Sequence, residues 1–237
     1  MVKTLPINFQ VPEENKTISY NFIDIADGTG IVTLYGYHWI DNSTEKYGLS
    51  ANAIRSNYIY TKATCDNSVT AEKEMDLDFD LAPFNLPQNL EGTARINLSF
   101  GAGSVSTANT SSRVYAIVKI RKWDGSTETE IASGQSETDD LGNIDGVGFF
   151  DYRTVNIQIT VPLTHFQIGE QLRVTVEIWA LQLGANDSSV FVFHSPNDEL
   201  DTVANETLRW LVPTDSSSGY ALQTSQLVAQ IPFRTDQ

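Results

Sequence analysis

The sequence is poor in cysteine, in basic residues and in long apolar runs, and each shortage excludes a class of protein. The single cysteine, Cys65, can form neither an internal disulfide nor a thiolate metal site. Fifteen basic residues stand against 30 acidic ones, and the net charge of -15 disfavours binding to nucleic acid or to an anionic membrane. No apolar run reaches the roughly 18 residues of a membrane span, so we expect no membrane partner.

The N-terminal segment MVKTLPINFQVPEENK also lacks the apolar core and small-residue cleavage site of a secretion signal. We therefore expect synthesis in a cytoplasm. The segment contains Pro6 and Pro12 and has little periodicity, and proline is excluded from central strands. Residues 1–16 are predicted to form an extended arm. Residues 17–237 are predicted to form a single domain, because strand patterns continue on both sides of every loop.

Alternation of apolar and polar residues dominates the rest of the chain, and this period of two is typical of half-buried strands. In Arg113–Trp123, for example, the pattern places Val114, Ala116, Val118 and Ile120 on one face. The alternation recurs in segment after segment. No segment of similar length has helical spacing, and the best helical candidate, around Ala51, is short.

Many amphipathic strands must bury their apolar faces on one another, which predicts an all-β fold. We expect an antiparallel two-sheet sandwich of the jelly-roll type. An immunoglobulin fold is disfavoured, because the chain lacks the Cys…Trp…Cys pattern and is about twice the usual length of ~100 residues. Two polar segments are predicted to be long loops, Gly101–Ser112 and the acidic Ser133–Gly148. Loops of such length are usually functional or mobile.

The segment Asp24–Gly30, DIADGTG, contains two carboxylates and two glycines. A phosphate-binding loop would be followed by a helix, whereas IVTLYGY, a strand pattern, follows here. The spacing of Asp24 and Asp27 does not fit an EF-hand calcium loop. We interpret the segment as an Asp-Gly turn between two strands.

The segment EMDLDFDL places Asp76, Asp78 and Asp80 at alternate positions, as a metal-binding ladder would. Successive aspartates on one face of a strand lie roughly 7 Å apart, too far to share one ion. We interpret them as a solvated acidic face that discourages edge pairing.

The acidic segment Glu137–Asp145 is the best calcium candidate. Asn143, Asp145 and Gly146 fit the end of an EF-hand loop, but the first ligand position would fall on Leu141, which cannot bind a cation. We therefore predict no metal or cofactor.

Candidate catalytic residues are few. The histidines His38, His165 and His194 lie far apart in sequence, and no His-x-x-x-His or Gly-x-Ser-x-Gly motif occurs. No motif surrounds Cys65, which is expected to be an inert, partly buried thiol. The sequence identifies no catalytic, cofactor-binding or metal-binding residue, and we expect a protein that is not an enzyme.

Aromatic residues provide one further candidate. Tyr35, Tyr37 and Trp39 share one face of a predicted strand, and Tyr58 and Tyr60 share another. Exposed, such rings could stack on sugars; buried, they would belong to the core, which is the default for large aromatic side chains.

The stretch YNFIDIADGTGIVTLYGY resembles a segment near the N-terminus of uncharacterised virion-associated structural proteins of tailed double-stranded DNA viruses from marine and archaeal hosts. Those proteins also end in an aromatic-Val-Pro strand followed by a Pro-Phe strand. The corresponding pieces here are Trp210–Pro213 and Ile231–Phe233. The resemblance covers the start of the chain and a short tail.

The resemblance implies a non-enzymatic virion structural protein, most simply an accessory or decoration protein on the outside of a viral capsid. Its expected partners are the major capsid protein or neighbouring virion proteins. A homo-oligomer, with a trimer favoured, would suit a symmetric lattice, and multivalency would strengthen weak contacts. The alternatives are a carbohydrate-binding β-sandwich module for host or glycan attachment, a tail or baseplate component, and a hydrolase on a jelly-roll scaffold.

Overall fold

The computed structural model describes residues 10–11, 14–15, 29–54, 60–65, 68, 70–104, 110–144, 150–183, 188–195 and 227–234. These residues contain strands β1 to β14. The strands are β1 Gln10–Val11, β2 Glu14–Asn15, β3 Thr29–Asp41, β4 Thr44–Ser50, β5 Tyr60–Cys65, β6 Glu72–Asp80, β7 Gln88–Ser104, β8 Thr110–Trp123, β9 Glu128–Gln135, β10 Asp139–Ile144, β11 Phe150–Phe166, β12 Gln171–Leu183, β13 Ser188–Phe193 and β14 Val228–Arg234.

Twelve of the strands join into one hydrogen-bonded sheet in the order β10-β8-β12-β6-β4-β3-β14-β7-β13-β5. Strand β9 continues the β10 edge of β8, and β11 pairs with the other edge of β7. Every pairing is antiparallel except that of β4 with β6, a single parallel bridge between Gly48 and Asp80. The all-β sandwich class predicted from the alternation is confirmed. The two expected halves are connected through this bridge instead of forming separate sheets.

The core lies between the two halves of the sheet and consists of the alternate residues of each strand. On β8 the four predicted inward side chains are all fully buried. The facing layer contributes Ile96, Leu98 and Phe100 of β7, which are also fully buried. Period-two alternation therefore assigned the inward face correctly wherever strands carry one apolar side.

The edges of the sheet approach each other where β9 meets β11. A Cβ atom placed on Gly134 would lie 2.8 Å from Ile157 Cγ2 and 2.9 Å from Ile159 Cγ1. The backbone of β9 thus packs directly on inward side chains of β11. Glycine is required here by close contact, since any larger residue would push the two strands apart.

Both predicted long loops are shorter than expected. Strand β7 continues to Ser104 and β8 begins at Thr110, so much of Gly101–Ser112 is strand. The acidic segment Ser133–Gly148 contains the end of β9 and all of β10, which pairs with β8. Polar, glycine-rich composition suggested loops, but pairing with long neighbours extended the strands. The short helical candidate is not helical between Ala51 and Ile54.

Strands β1 and β2 pair with each other through Gln10–Asn15 and Val11–Glu14, forming a small two-stranded sheet within the predicted arm. Several other expectations lie outside the described residues. These are the remainder of the arm, residues 24–28 of the predicted turn, and the aromatic-Val-Pro piece Trp210–Pro213. Strand β3 begins at Thr29, so Thr29 and Gly30 of the segment predicted as a turn belong to the strand.

Candidate functional site

Two of the three histidines, although far apart in sequence, meet inside the sandwich. His38 points inward from β3, and His194 follows β13; their ring centroids lie 5.5 Å apart. Tyr47 of β4 stacks on His38 with ring centroids 4.7 Å apart and contacts His194 edge-on. His165 lies elsewhere, at the surface of β11, beside Asn89.

A continuous chain of hydrogen bonds runs from this cluster to the surface. Tyr47 donates to the Glu45 carboxylate, with 2.8 Å between oxygens, and its hydroxyl lies 2.9 Å from Thr61 Oγ1. Thr61 Oγ1 lies 2.9 Å from His194 Nε2, and His194 Nδ1 lies 2.9 Å from Ser195 Oγ.

The carboxylate at one end fixes the direction of every bond in this chain, because each hydroxyl has a single proton. Tyr47 uses its proton on Glu45, so it accepts from Thr61, and Thr61 accepts from His194 Nε2–H. The Nδ1 atom of His194 is then an acceptor for the Ser195 hydroxyl. That hydroxyl in turn accepts from the backbone N–H of His38 at 3.2 Å.

Burial keeps the cluster uncharged. Desolvation, together with the nearby His38, lowers the pKa of His194 to about 3. Burial also lowers the pKa of His38, although Glu45 opposes this, and raises the pKa of Tyr47 to about 12. The imidazole of His194 is therefore neutral at physiological pH.

A serine hydroxyl bonded to a neutral imidazole is the arrangement of an activated nucleophile. Here both His194 and Ser195 are 0% exposed, so neither reacting atom is available to a substrate. The arrangement instead satisfies polar groups inside an apolar core and fixes the relative positions of β3, β4, β5 and the end of β13.

A second polar cluster covers the outer face of β6, β8, β9 and β12. Arg173 makes a two-pronged bond to Asp80, with Nε–Oδ1 and Nη2–Oδ2 distances of 2.6 and 2.8 Å. Its Nη1 atom also contacts Asp78 at 3.2 Å and Glu128 at 3.0 Å. The guanidinium lies over the ring of Trp123, 4.7 Å from the centroid.

The aspartate ladder is partly solvated, with side-chain exposures of 39% for Asp76 and Asp78 and 32% for Asp80, but each carboxylate is also hydrogen-bonded. The expectation that it protects an edge is wrong, because β6 lies between β12 and β4. Asp78 accepts bonds from Arg173 and from Thr175 Oγ1, the latter at 2.6 Å. Asp80 pairs with Arg173, and Asp76 pairs with Lys73. Strand β12 pairs with β6 and places its cation opposite the aspartates, which the sequence of β6 alone does not indicate.

Farther along the same face, Glu177 is only 2% exposed and is surrounded by cations. Lys119 Nζ lies 2.7 Å from Glu177 Oε1, and Trp179 Nε1 donates to Oε2 at 3.1 Å. Burial alone would raise the pKa of Glu177, but the bonds from Lys119 and Trp179 bring it below its ordinary value. The carboxylate is thus ionised and part of the ion-pair network.

Among the residues that the structure describes, no three His, Cys, Asp or Glu side chains lie close enough together to bind a metal ion. The calcium candidate Glu137–Asp145 includes β10, whose backbone pairs with β8, while Asp145 and Gly146 lie outside the described residues. Cys65 is 1% exposed, more deeply buried than expected.

The aromatic residues of β3 lie on its outward face. Tyr37 and Trp39 stack with their centroids 5.1 Å apart and their planes 22° apart. Trp39 is 40% exposed, while Tyr35 and Tyr37 are half-buried. Tyr60, on β5, contacts Phe191 and Phe193; Tyr58 lies outside the described residues.

No family model and no curated protein matches this chain. Among solved structures, an aminopeptidase from the marine sediment archaeon Thaumarchaeota archaeon resembles 87% of this chain and 37% of its own, at 9% identity and a TM-score of 0.48. An alpha-amino acid ester hydrolase resembles 62% of this chain and 33% of its own, at 12% identity and a TM-score of 0.43. The infectious bursal disease virus VP2 subviral particle resembles 99% of this chain and 42% of its own, at 9% identity and a TM-score of 0.29.

The chain spans less than half the length of each of these structures. At such TM-scores and identities, the resemblances establish neither a fold family nor an activity. Within the described residues, no helix has the length and hydrophobicity that crossing a membrane requires.

Proposed function

We propose that this chain is a non-enzymatic structural protein of a virus particle, an accessory or decoration protein on the outside of the capsid. The proposal that the chain is not an enzyme rests on the burial and ion pairing of the candidate catalytic groups. The one serine–histidine pair described is sealed in the core, and the carboxylates Asp78, Asp80 and Glu177 are held by cations. Groups committed in this way stabilise the sandwich and are not available for acid–base chemistry.

The resemblance of the N-terminal DIADGTG segment and of the Pro-Phe tail supports the virion part of the proposal. The proposed partners are the major capsid protein or neighbouring virion proteins, with the chain made in the host cytoplasm. The net charge of -15 would keep free copies apart before they are seated. A homo-oligomer, with a trimer favoured, would match the symmetry of a capsid site. A tail or baseplate position is the alternative within the same class.

Residues 1–16 are proposed as the tether to the shell, by adding a strand to a neighbouring sheet. Deleting them should leave a folded sandwich that no longer joins particles. The measurement is a competition in which the full chain and the truncated chain, carrying different labels, are mixed with particles and sedimented. We expect the particle fraction to contain the full chain almost alone.

The control replaces residues 1–16 with a glycine–serine segment of equal length. It shows whether attachment depends on the sequence of the arm or only on the presence of an extra segment. Circular dichroism of each variant verifies the β-fold. Equal occupancy of particles by the truncated and full chains would show that the arm is not the tether.

A further inference from the structure

The outer face of the half-sheet β4-β3-β14-β7-β11 has a composition unlike the rest of the surface. Its pairing places Tyr35, Val228, Asn97 and Asn156 opposite one another in a row across four strands. Residues directly opposite in antiparallel strands share a face, and neighbouring strands lie about 4.8 Å apart, so this row spans roughly 14 Å. The parallel row beside it consists of Thr33, Gln230, Arg95 and Gln158.

Aromatic rings form one border of this face. The Tyr37 ring lies directly on the backbone of β4, because a Cβ atom on Gly48 would be 2.7 Å from Tyr37 Cζ. Trp39 stacks nearly parallel to that ring and is 40% exposed. Only a glycine at position 48 lets the Tyr37 ring lie flat against the sheet, with Trp39 beside it.

Amide side chains occupy the other border. Asn156 Nδ2 donates to Asn97 Oδ1 at 2.6 Å, and both Asn156 and Gln158 project outward from β11. Amides present donors and acceptors together and are well suited to hydroxyl groups. We call the surface formed by Tyr35, Tyr37, Trp39, Asn97, Asn156 and Gln158 the aromatic–amide face.

This face has no carboxylate on the outward positions of residues 33–39, 93–99, 154–160 and 228–230, although the chain as a whole carries 30 acidic residues. Glu91, at the rim, is paired with Arg234 at 2.6 Å. The described acidic clusters lie instead on the outer face of β6, β8, β9 and β12. A cationic partner would find no anionic group here to bind.

Tyr and Trp are also common in protein interfaces, but the buried centre of such an interface is largely apolar, whereas here Asn97, Asn156 and Gln158 lie on the same face as the rings. A sugar ring has the matching chemistry: its C–H groups pack on an aromatic ring, while its hydroxyls exchange hydrogen bonds with amides. A flat face roughly 14 Å across is wide enough for several sugar units.

We propose that the aromatic–amide face is a binding site for a neutral polysaccharide. This inference goes beyond the virion assignment and does not depend on it. Trp39 and Tyr35 supply the stacking surface. Asn97, Asn156 and Gln158 bind the hydroxyls. The outward positions named above carry no carboxylate, and the charged residue opposite Trp39 is Lys46, so these positions present no negative charge that the binding of an uncharged chain would have to desolvate.

The test is affinity electrophoresis of the full chain through gels that contain soluble mannan, β-glucan, galactan or xylan. A gel that contains alginate, an acidic polysaccharide, is run for comparison. We expect at least one neutral polysaccharide to retard the protein. Trp39→Ala should weaken that binding about tenfold or more, and Gln158→Ala should weaken it by a smaller factor.

The matched control is Ile40→Ala. Ile40 is the next residue, is 46% exposed, and projects from the opposite face of the same hairpin, so its removal should leave binding unchanged. Melting of each variant checks that it is folded. Failure of all four neutral polysaccharides overturns the proposal, as does retardation by alginate alone or undiminished binding by folded Trp39→Ala.

Analytical sedimentation of the same variants tests whether a second copy of the chain binds to this face instead. Self-association that disappears in Trp39→Ala, without any glycan binding, would assign the face to a second copy of the chain and overturn the proposal. Particle occupancy measured in parallel separates this inference from the virion assignment, because neither result determines the other.

Discussion

Replacing Arg173 with methionine is expected to lower the free energy of unfolding by about 2–3 kcal/mol at pH 7. Methionine keeps an unbranched apolar stem but removes the guanidinium that lies over Trp123, with its charge and its five N–H donors. Asp78, Asp80 and Glu128 would lose the cation that all three share, and within the described part of the chain only Glu128 would keep a short ion pair, with Arg121 at 2.6 Å. Burial raises the pKa of Asp78, and the bond from Thr175 and the charge of Arg173 oppose that rise.

Urea unfolding of the wild type and of Arg173→Met at fixed salt measures this loss. Arg153→Met is the matched control. Arg153 is 47% exposed and its bond to Asp139 is 3.3 Å long, so the control should lose no more than about 0.5 kcal/mol. The difference in free energy of unfolding between Arg173→Met and the wild type should become smaller in acid, as the carboxylates become neutral. Equal losses in the two variants would contradict a special role for Arg173.

The stability of the protein is expected to depend on pH through His194. Folding lowers the pKa of His194 from 6.5 to about 3 through burial and the nearby His38. Between these two pKa values the unfolded chain binds a proton at His194 and the folded chain does not, so acid favours unfolding. The contribution of His194 to the free energy of unfolding is fully present above pH 6.5 and is lost as pH falls toward 3, at roughly 1.4 kcal/mol for each pH unit.

His194→Gln removes that titration while leaving an amide that can bond to Thr61. We expect this variant to be less stable at pH 7, by about 1–3 kcal/mol, because the polar chain is disrupted. Its stability should then fall less steeply between pH 6 and 4 than that of the wild type. His38, Glu45 and Tyr47 face the same cluster and remain in both proteins, so the difference in slope isolates His194.

Urea unfolding at half-unit pH steps gives the two slopes, and the exposed His165→Gln controls for loss of a histidine outside the buried cluster. The control profile should follow that of the wild type. Parallel profiles for His194→Gln and the wild type would mean that His194 is not held neutral by burial.

The fold class was predictable because period-two alternation is a local property of the chain. The inward positions of β7, β8, β11 and β12 could be assigned before any contact was known. The ends of strands could not, because glycine-rich Gly101–Ser104 and acidic Asp139–Ile144 are strands only through pairing with β11 or β13 and with β8. The parallel bridge at Gly48 depends likewise on residues distant in sequence.

The polar clusters were less predictable for the same reason. His38 and His194 are 156 positions apart, and no motif signals that β3 and the end of β13 converge. Lys119 reaches Glu177 only because β8 and β12 are neighbours, whereas Trp179 lies two residues from Glu177 on β12 itself. One available signal was missed: Arg173, Thr175 and Glu177 alternate on the polar face of β12 and could have been matched with the aspartates of β6.

The aromatic residues of β3 illustrate a further limit. Alternation placed Tyr35, Tyr37 and Trp39 on a common face but could not say whether that face is inside or outside. The decisive feature is Gly48 on the neighbouring strand, which accommodates the Tyr37 ring on the outer surface. Exposure therefore follows from a cross-strand pair and not from the sequence of β3 alone.

The proposed role of the chain, as a binding and structural β-sandwich of a virus particle and not a catalyst, can be tested by quantitative mass spectrometry of purified particles. We expect to find the chain among the particle proteins, in a fixed ratio to the major capsid protein that reflects the symmetry of its site. Particles that hold a complete set of structural proteins but lack this chain would show that the proposed role is wrong.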